Sequence, residues 1–123
     1  MLNKQQIFGG KGELLAVKAL KRRGYRILAQ NYRNRLGEID IIAMEGDVIV
    51  FVEVKARRSH RYGNPKYAVT PAKQRKISLA ALVFLKETGR MHDRARFDVV
   101  AVDSSRETPS IEIVQNAFPL VTT

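Results

Sequence analysis

The first regular stretch of the chain has a helical period. From about Gln5 to Arg23, Ala16, Val17 and Leu20 recur at helical spacing, Lys21, Arg22 and Arg23 complement the C-terminal dipole, and Gly24 follows as a left-handed cap. Glu13 precedes Ala16 and Val17 by three and four positions, on the same stripe, so its carboxylate points toward the body of the domain. The period then drops to two. A short strand near Tyr25–Tyr32 precedes two sharper ones, Glu38–Glu45 and Val48–Lys55, joined by Gly46-Asp47, a two-residue signal of a tight antiparallel hairpin. Val48–Lys55 is almost continuously apolar and β-branched, as a strand covered on both faces is.

Residues 56–70 read as a basic loop holding Gly63, Asn64 and Pro65. Thr70 as N-cap and Pro71 as first helical residue then open a second helix to about Lys86, with Ile77, Ala80, Ala81, Phe84 and Leu85 facing inward. Arg96–Val102 is a further buried strand and Ile111–Gln115 an edge strand. The order αβββαβ, with a last β, predicts an α/β fold in which a mixed central sheet is flanked by helices. A right-handed crossover makes Val48–Lys55 and Arg96–Val102 parallel. At 123 residues, with no repeat, low-complexity tract or linker, the chain reads as one domain over 1–123.

Composition narrows the chemistry. The chain has no cysteine, which excludes disulfides, thiol catalysis and Cys-based metal sites. The N-terminus lacks an apolar core, and the longest wholly apolar run, Leu79–Leu85, falls far short of the ~18 residues a membrane span needs. The expectation is a soluble cytoplasmic protein with no membrane partner. The net charge of +10 is unevenly placed. No acid occurs between Leu14 and Gly37, where Lys18, Lys21, Arg22, Arg23, Arg26, Arg33 and Arg35 fall. None occurs from Val54 to Lys86, where Lys55, Arg57, Arg58, Arg61, Lys66, Lys73, Arg75, Lys76 and Lys86 fall. Such blocks suit a phosphate-rich partner, nucleic acid above all, although a solvated basic face is the plainer alternative.

Against this background three ionisable residues stand on strands otherwise reserved for apolar side chains: Asp40, Glu53 and Lys55. An unpaired charge there costs several kcal/mol. If Gly46-Asp47 is the whole turn, Asp40 lies opposite Glu53, and Glu38 opposite Lys55, with Lys55 on the face of Glu53. Two carboxylates so close repel unless a cation stands between them, either a lysine or a divalent metal. Oxygen-only ligation favours Mg²⁺ or Mn²⁺. Composition alone yields about one acid-x-Lys triplet in such a chain, so the triplet matters only for its place on a buried strand with an acid in register.

Asp40, twelve intervening residues and then Glu53-Val54-Lys55 resemble the PD-(D/E)xK nuclease pattern, with Ile39 where the pattern has proline and Glu13 as the extra helical acid of many members. Gly12-Glu13-x-x-Ala16, Asn31-Tyr32-Arg33, Gly37-Glu38-Ile39-Asp40, Phe51–Lys55 and Arg96-Phe97-Asp98-Val99 together resemble the YraN family of uncharacterised bacterial proteins, similar in its core to archaeal Holliday-junction resolvases. The resemblance covers roughly Gly9 to Val102. It implies a restriction-endonuclease-like core and a metal-dependent endonuclease, with DNA as partner and branched or repair-intermediate DNA as the substrate class. Resolvases of this shape act as dimers, which adds a homodimer to the implied partners.

In that reading Asp40, Glu53 and Glu13 hold the metal, and Lys55 activates the attacking water. Arg57, Arg58, Arg61 and Lys66 contact the DNA backbone, with Lys73, Lys76, Arg33 and Arg35 as further contacts. The competing reading is a non-catalytic nucleic-acid-binding module whose acids form a structural ion-pair cluster; a protein bound to ribosomal or other RNA is a third.

Other features carry less. Gly9-Gly10-Lys11-Gly12 completes no phosphate-loop pattern and reads as flexible or helix-initiating, while His60 and His92 have no spaced partners for a zinc site. Arg96 and Asp98 share a strand face and read as a structural ion pair, with support of the catalytic acids as the alternative. Tyr62 and Tyr67, interleaved with cations, suit stacking on unpaired bases, although packing under the basic loop is the expected role.

Overall fold

The computed structural model describes residues 4–58 and 63–121. Helix α1 (Lys4–Arg22) leads into three antiparallel strands, β1 (Arg26–Asn34), β2 (Gly37–Glu45) and β3 (Val48–Arg57). A single 3₁₀ turn (Pro65–Tyr67) and helix α2 (Pro71–Glu87) lead to β4 (Ala95–Asp103) and β5 (Ser110–Phe118). The sheet order is β1-β2-β3-β4-β5, with β3 and β4 parallel and the other pairs antiparallel. This is the mixed α/β architecture that the hydrophobic pattern predicts.

The start of α2 obeys local chemistry. Thr70 Oγ1 accepts from the Lys73 N–H and Pro71 follows as the first helical residue. The β2–β3 hairpin turns at Gly46, whose φ of 60° suits the primed turn. The parallel pairing of β3 with β4 continues through Ala56↔Val102 and Arg57↔Asp103, so the expected basic loop begins two residues later than its composition suggests. Gly10 and Gly12 lie inside α1 rather than at its start. A Cβ on Gly12 would stand 3.0 Å from the Ala56 Cβ, so this glycine lets α1 approach the end of β3.

The sheet separates two cores. Ile42, Ile49, Phe51, Phe97 and Val99 pack with Ile77, Ala80, Ala81 and Leu85 of α2. Ile41, Ala43, Val50, Val52, Val100 and Val102 pack with Ala16, Val17 and Leu20 of α1. Within β2 alternation fails once: Ile39 joins the α2 cluster although Ile41, two residues on, belongs to the α1 cluster. Between them stands Asp40.

The chain expresses the same irregularity twice. Among the described residues the non-glycine positions with positive φ are Asn31 and Asn116, both at 52°, a conformation asparagine tolerates better than most residues. Asn31, bracketed by the pairs Gln30↔Ile41 and Tyr32↔Ile39, lies across from Asp40. Asn116 falls where β5 carries extra residues opposite Asp98, between Phe97↔Phe118 and Val99↔Val114. Buried Asp98 thus sits beside a bulge of β5, whereas half-buried Asp40 faces Asn31 where β1 and β2 stay in register, the irregularity of β1 falling between Ile27 and Ala29.

Candidate active site

Backbone pairing between β2 and β3 runs from Glu45↔Val48 to Ile41↔Val52, in the expected register, and stops there. Beyond it the Val54 N–H donates not to a strand carbonyl but to Asp40 Oδ2, at 2.8 Å. Asp40 therefore reaches β3 through its side chain, and its carboxyl group shares a hydrogen bond with that of Glu53. The second expected pair does not form: Glu38 is bound by the Arg33 guanidinium of β1, with Nε donating to Oε1 at 2.6 Å, instead of facing Lys55. The reason is the early end of the ladder, which leaves Glu38 nearer to β1 than to β3.

Glu53 is 7% exposed. Burial, together with the charge of Asp40, pushes its carboxyl group up to about 7, against the offsetting positive charges of Lys73 and Lys55. Burial also raises Asp40, although the Val54 N–H, Lys73 and Lys55 all favour its charged form. Lys55 Nζ stands 3.9 Å from Glu53 Oε1. Lys73 belongs to the first turn of α2, so the cap at Thr70 fixes where its charge meets both acids. The two carboxyl groups thus stand close together, with the charges of Lys55 and Lys73 acting on both.

Glu13, half-buried on α1, is raised by burial and then by the charge of Asp40, while a hydrogen bond from Asn31 stabilises its anion. It lies close enough to feel Asp40, as its place on the inner stripe predicts. Among the described residues no three acidic or imidazole side chains converge into one metal-holding group. The closest acid pair among the described residues, Asp40 and Glu53, offers two hard oxygen donors. Mg²⁺ is commonly held by one or two carboxylates with water and phosphate oxygens completing its shell.

The predicted cations divide by position. Lys55, Ala56, Arg57, Tyr67 and Ala68 line a cavity of about 380 Å³ beside the acid pair. Arg57 Nη1 donates to the Gly63 carbonyl at 3.0 Å, which ties the end of β3 to the returning loop. Arg58 and Lys66 are exposed on the same stretch, Lys76 is exposed on α2, and Arg35 is exposed at the β1–β2 turn. Arg33 is engaged by Glu38. Arg61, His60 and Tyr62 lie outside the described residues. Tyr67, expected to pack under the loop, is instead 77% exposed.

On the α1 face of the sheet a second polar cluster forms, the one the Arg96–Asp98 spacing predicts, but larger. Arg96 Nε donates to Asp98 Oδ1 at 2.9 Å and Nη2 to Glu45 Oε1 at 2.7 Å. The Tyr25 hydroxyl donates to Asp98 Oδ2 at 2.9 Å, Gln115 Nε2 donates to Tyr25, and the Asn116 N–H donates to Asp98 Oδ1. This network ties β5 and the end of α1 to the sheet centre. Gln115 and Asn116 are contributors that composition and spacing could not reveal, since nothing marks a bulge in advance.

A five-stranded mixed sheet with two helices is an α/β architecture consistent with a nuclease-like core. The chain belongs to the uncharacterised protein family UPF0102, whose profile matches residues 12–102, and this is the YraN family its motifs resemble. It is 51% identical over 118 residues to the UPF0102 protein of Desulfosudis oleivorans, covering 96% of this chain and 94% of that one. It is 53% identical to the UPF0102 protein of Geobacter metallireducens over 112 residues, 91% of this chain and 92% of the relative. No helix among the described residues is long and apolar enough to cross a membrane.

Proposed function

We propose that this protein is a metal-dependent DNA endonuclease, hydrolysing phosphodiesters with Mg²⁺ or Mn²⁺ bound by Asp40 and Glu53. The observation that carries the reading is the close carboxyl pair at the point where β2 leaves β3, an arrangement in which burial, and for Glu53 the charge of Asp40, oppose ionisation. When bound, the cation polarises the phosphoryl oxygen. Lys55 orients the attacking water and offsets charge growing on the phosphoryl group, while Lys73 balances the acid pair from the start of α2. Water oxygen bonds to phosphorus, the bond to the departing sugar oxygen breaks, and the proton lost by water ends on that oxygen or in solvent. Glu13 supports the site through charge and the hydrogen bond to Asn31. The exposed cations Arg58, Lys66, Lys76 and Arg35 grip the DNA backbone without reading sequence. Branched or repair-intermediate DNA is the favoured substrate, in line with the resemblance to resolvases.

A second reading, a DNA-binding module without turnover, is favoured by one observation: the charges of Lys55 and Lys73 offset the acid pair, and among the described residues no third acid joins it in a metal-holding group. A panel of linear, nicked, flapped and four-way DNA with Mg²⁺ or Mn²⁺ separates the two. The nuclease reading expects cleavage by the wild-type protein and none by Glu53→Gln, which still binds. Binding without cleavage by either protein supports the module, and equal cleavage by both points to a contaminant.

A further inference from the structure

Tyr67 is a large aromatic side chain left in solvent by a backbone that is otherwise firmly held. Asn64 Oδ1 accepts from the Lys66 N–H at 2.9 Å, and the Tyr67 and Ala68 N–H groups donate to the Asn64 and Pro65 carbonyls, each at 3.0 Å. Pro65 on one side is buried, and Val69 on the other is 2% exposed. The turn is thus anchored in the core at both ends while its aromatic ring stays 77% exposed. A lone exposed apolar residue is ordinary. This one shares a cavity of about 380 Å³ with Lys55 and Arg57, the lysine of the acid pair and a cation at the end of the same strand.

We infer that Tyr67 is a stacking platform for an unpaired base next to the phosphate held at Lys55, so that the preferred DNA carries single-stranded character at that position. The inference rests on the nuclease reading for the location of the reacting phosphate, and it adds which DNA is chosen. Three physical features meet there. An aromatic face accepts any base by stacking, which is sequence-tolerant. The Lys55 and Arg57 charges meet the phosphates on either side of that base. In an intact duplex every base face is already stacked, so the ring has nothing to cover; a flap, fork or gap offers an unstacked base at no unpairing cost.

The test places 2-aminopurine, whose fluorescence falls on stacking, at the unpaired position of a flapped DNA and at a paired position of a matched duplex. Binding is measured with Glu53→Gln, which holds DNA without cutting it, and with the same protein carrying Tyr67→Ala or Tyr67→Phe. The expected result is quenching on the flapped DNA that survives Tyr67→Phe and disappears in Tyr67→Ala, with about tenfold weaker binding of that DNA and about unchanged binding of the duplex. An equal loss on both DNAs, or no loss on either, overturns the stacking assignment while leaving the nuclease reading to its own cleavage test. Stacking as expected with no cleavage by the wild type overturns the nuclease reading alone. If none of the proteins binds either DNA, both fail.

Discussion

The Val54 N–H donates to Asp40 Oδ2 at 2.8 Å, so one carboxylate both completes the backbone bonding of β3 and brings a charge to Glu53. These two duties can be separated. In Asp40→Asn the amide oxygen still accepts from Val54, whereas in Asp40→Ala that N–H loses its partner. Without divalent cation, Asp40→Ala is expected to be less stable than Asp40→Asn by about 1–3 kcal/mol, read from urea unfolding. Both variants are expected to bind cation at least about tenfold more weakly.

The raised Glu53 carboxyl group makes the site pH-dependent. Glu53 rises in the folded protein from 4.5 to about 7, so the folded state holds more protons than the unfolded one between those values. Metal-free stability therefore falls as pH rises from 4.5 to about 7 and levels off above. Cation affinity moves the opposite way, rising toward pH 7 because binding must expel the proton. Unfolding curves and cation titrations across this range check both slopes, and Glu53→Gln is expected to flatten the stability profile.

Two glycines of one helix should respond with opposite signs. A Cβ at Gly10 meets nothing within 4 Å, while one at Gly12 stands 3.0 Å from the Ala56 Cβ. Gly10→Ala is expected to stabilise by about 0.5–1 kcal/mol through helix propensity. Gly12→Ala is expected to destabilise by about 1–3 kcal/mol by forcing α1 away from β3. Thermal melts of the two variants decide it.

The polar cluster on the α1 face is structural in this account. Asp98 is fully buried and meets Arg96, Tyr25 and the Asn116 N–H. Asp98→Ala leaves the Arg96 guanidinium without its main partner and is expected to cost about 3–5 kcal/mol of stability. Protein that remains folded, as checked by circular dichroism, should keep its cation affinity, because Asp98 lies on the opposite face of the sheet from Glu53.

Much of this was legible in the chain because the informative residues act locally. Thr70-Pro71 marks a helix start by its own hydrogen bond, and Gly46-Asp47 fixes the register of the hairpin that brings Asp40 to Glu53. What the pattern could not supply was where a ladder stops. Strand periodicity placed Glu38 against Lys55, but Arg33 holds it on β1 after β2 and β3 have parted. The extended β5 was missed for a related reason: Asn116 and the extra residues opposite Asp98 break the alternation that would have announced a strand to Phe118. Composition cannot tell a ring tucked under a loop from one held out, as Tyr67 is, by a turn anchored at Pro65 and Val69.

Electron paramagnetic resonance of Mn²⁺ titrated into the protein at pH 7.5 addresses the acid pair most directly. One bound ion per chain in the wild type is expected, at least about tenfold weaker in Asp40→Asn and in Glu53→Gln. Binding of Mn²⁺ that is equally tight in all three proteins, or undetectable in the wild type, would contradict the proposal that residues 40 and 53 seat the cation.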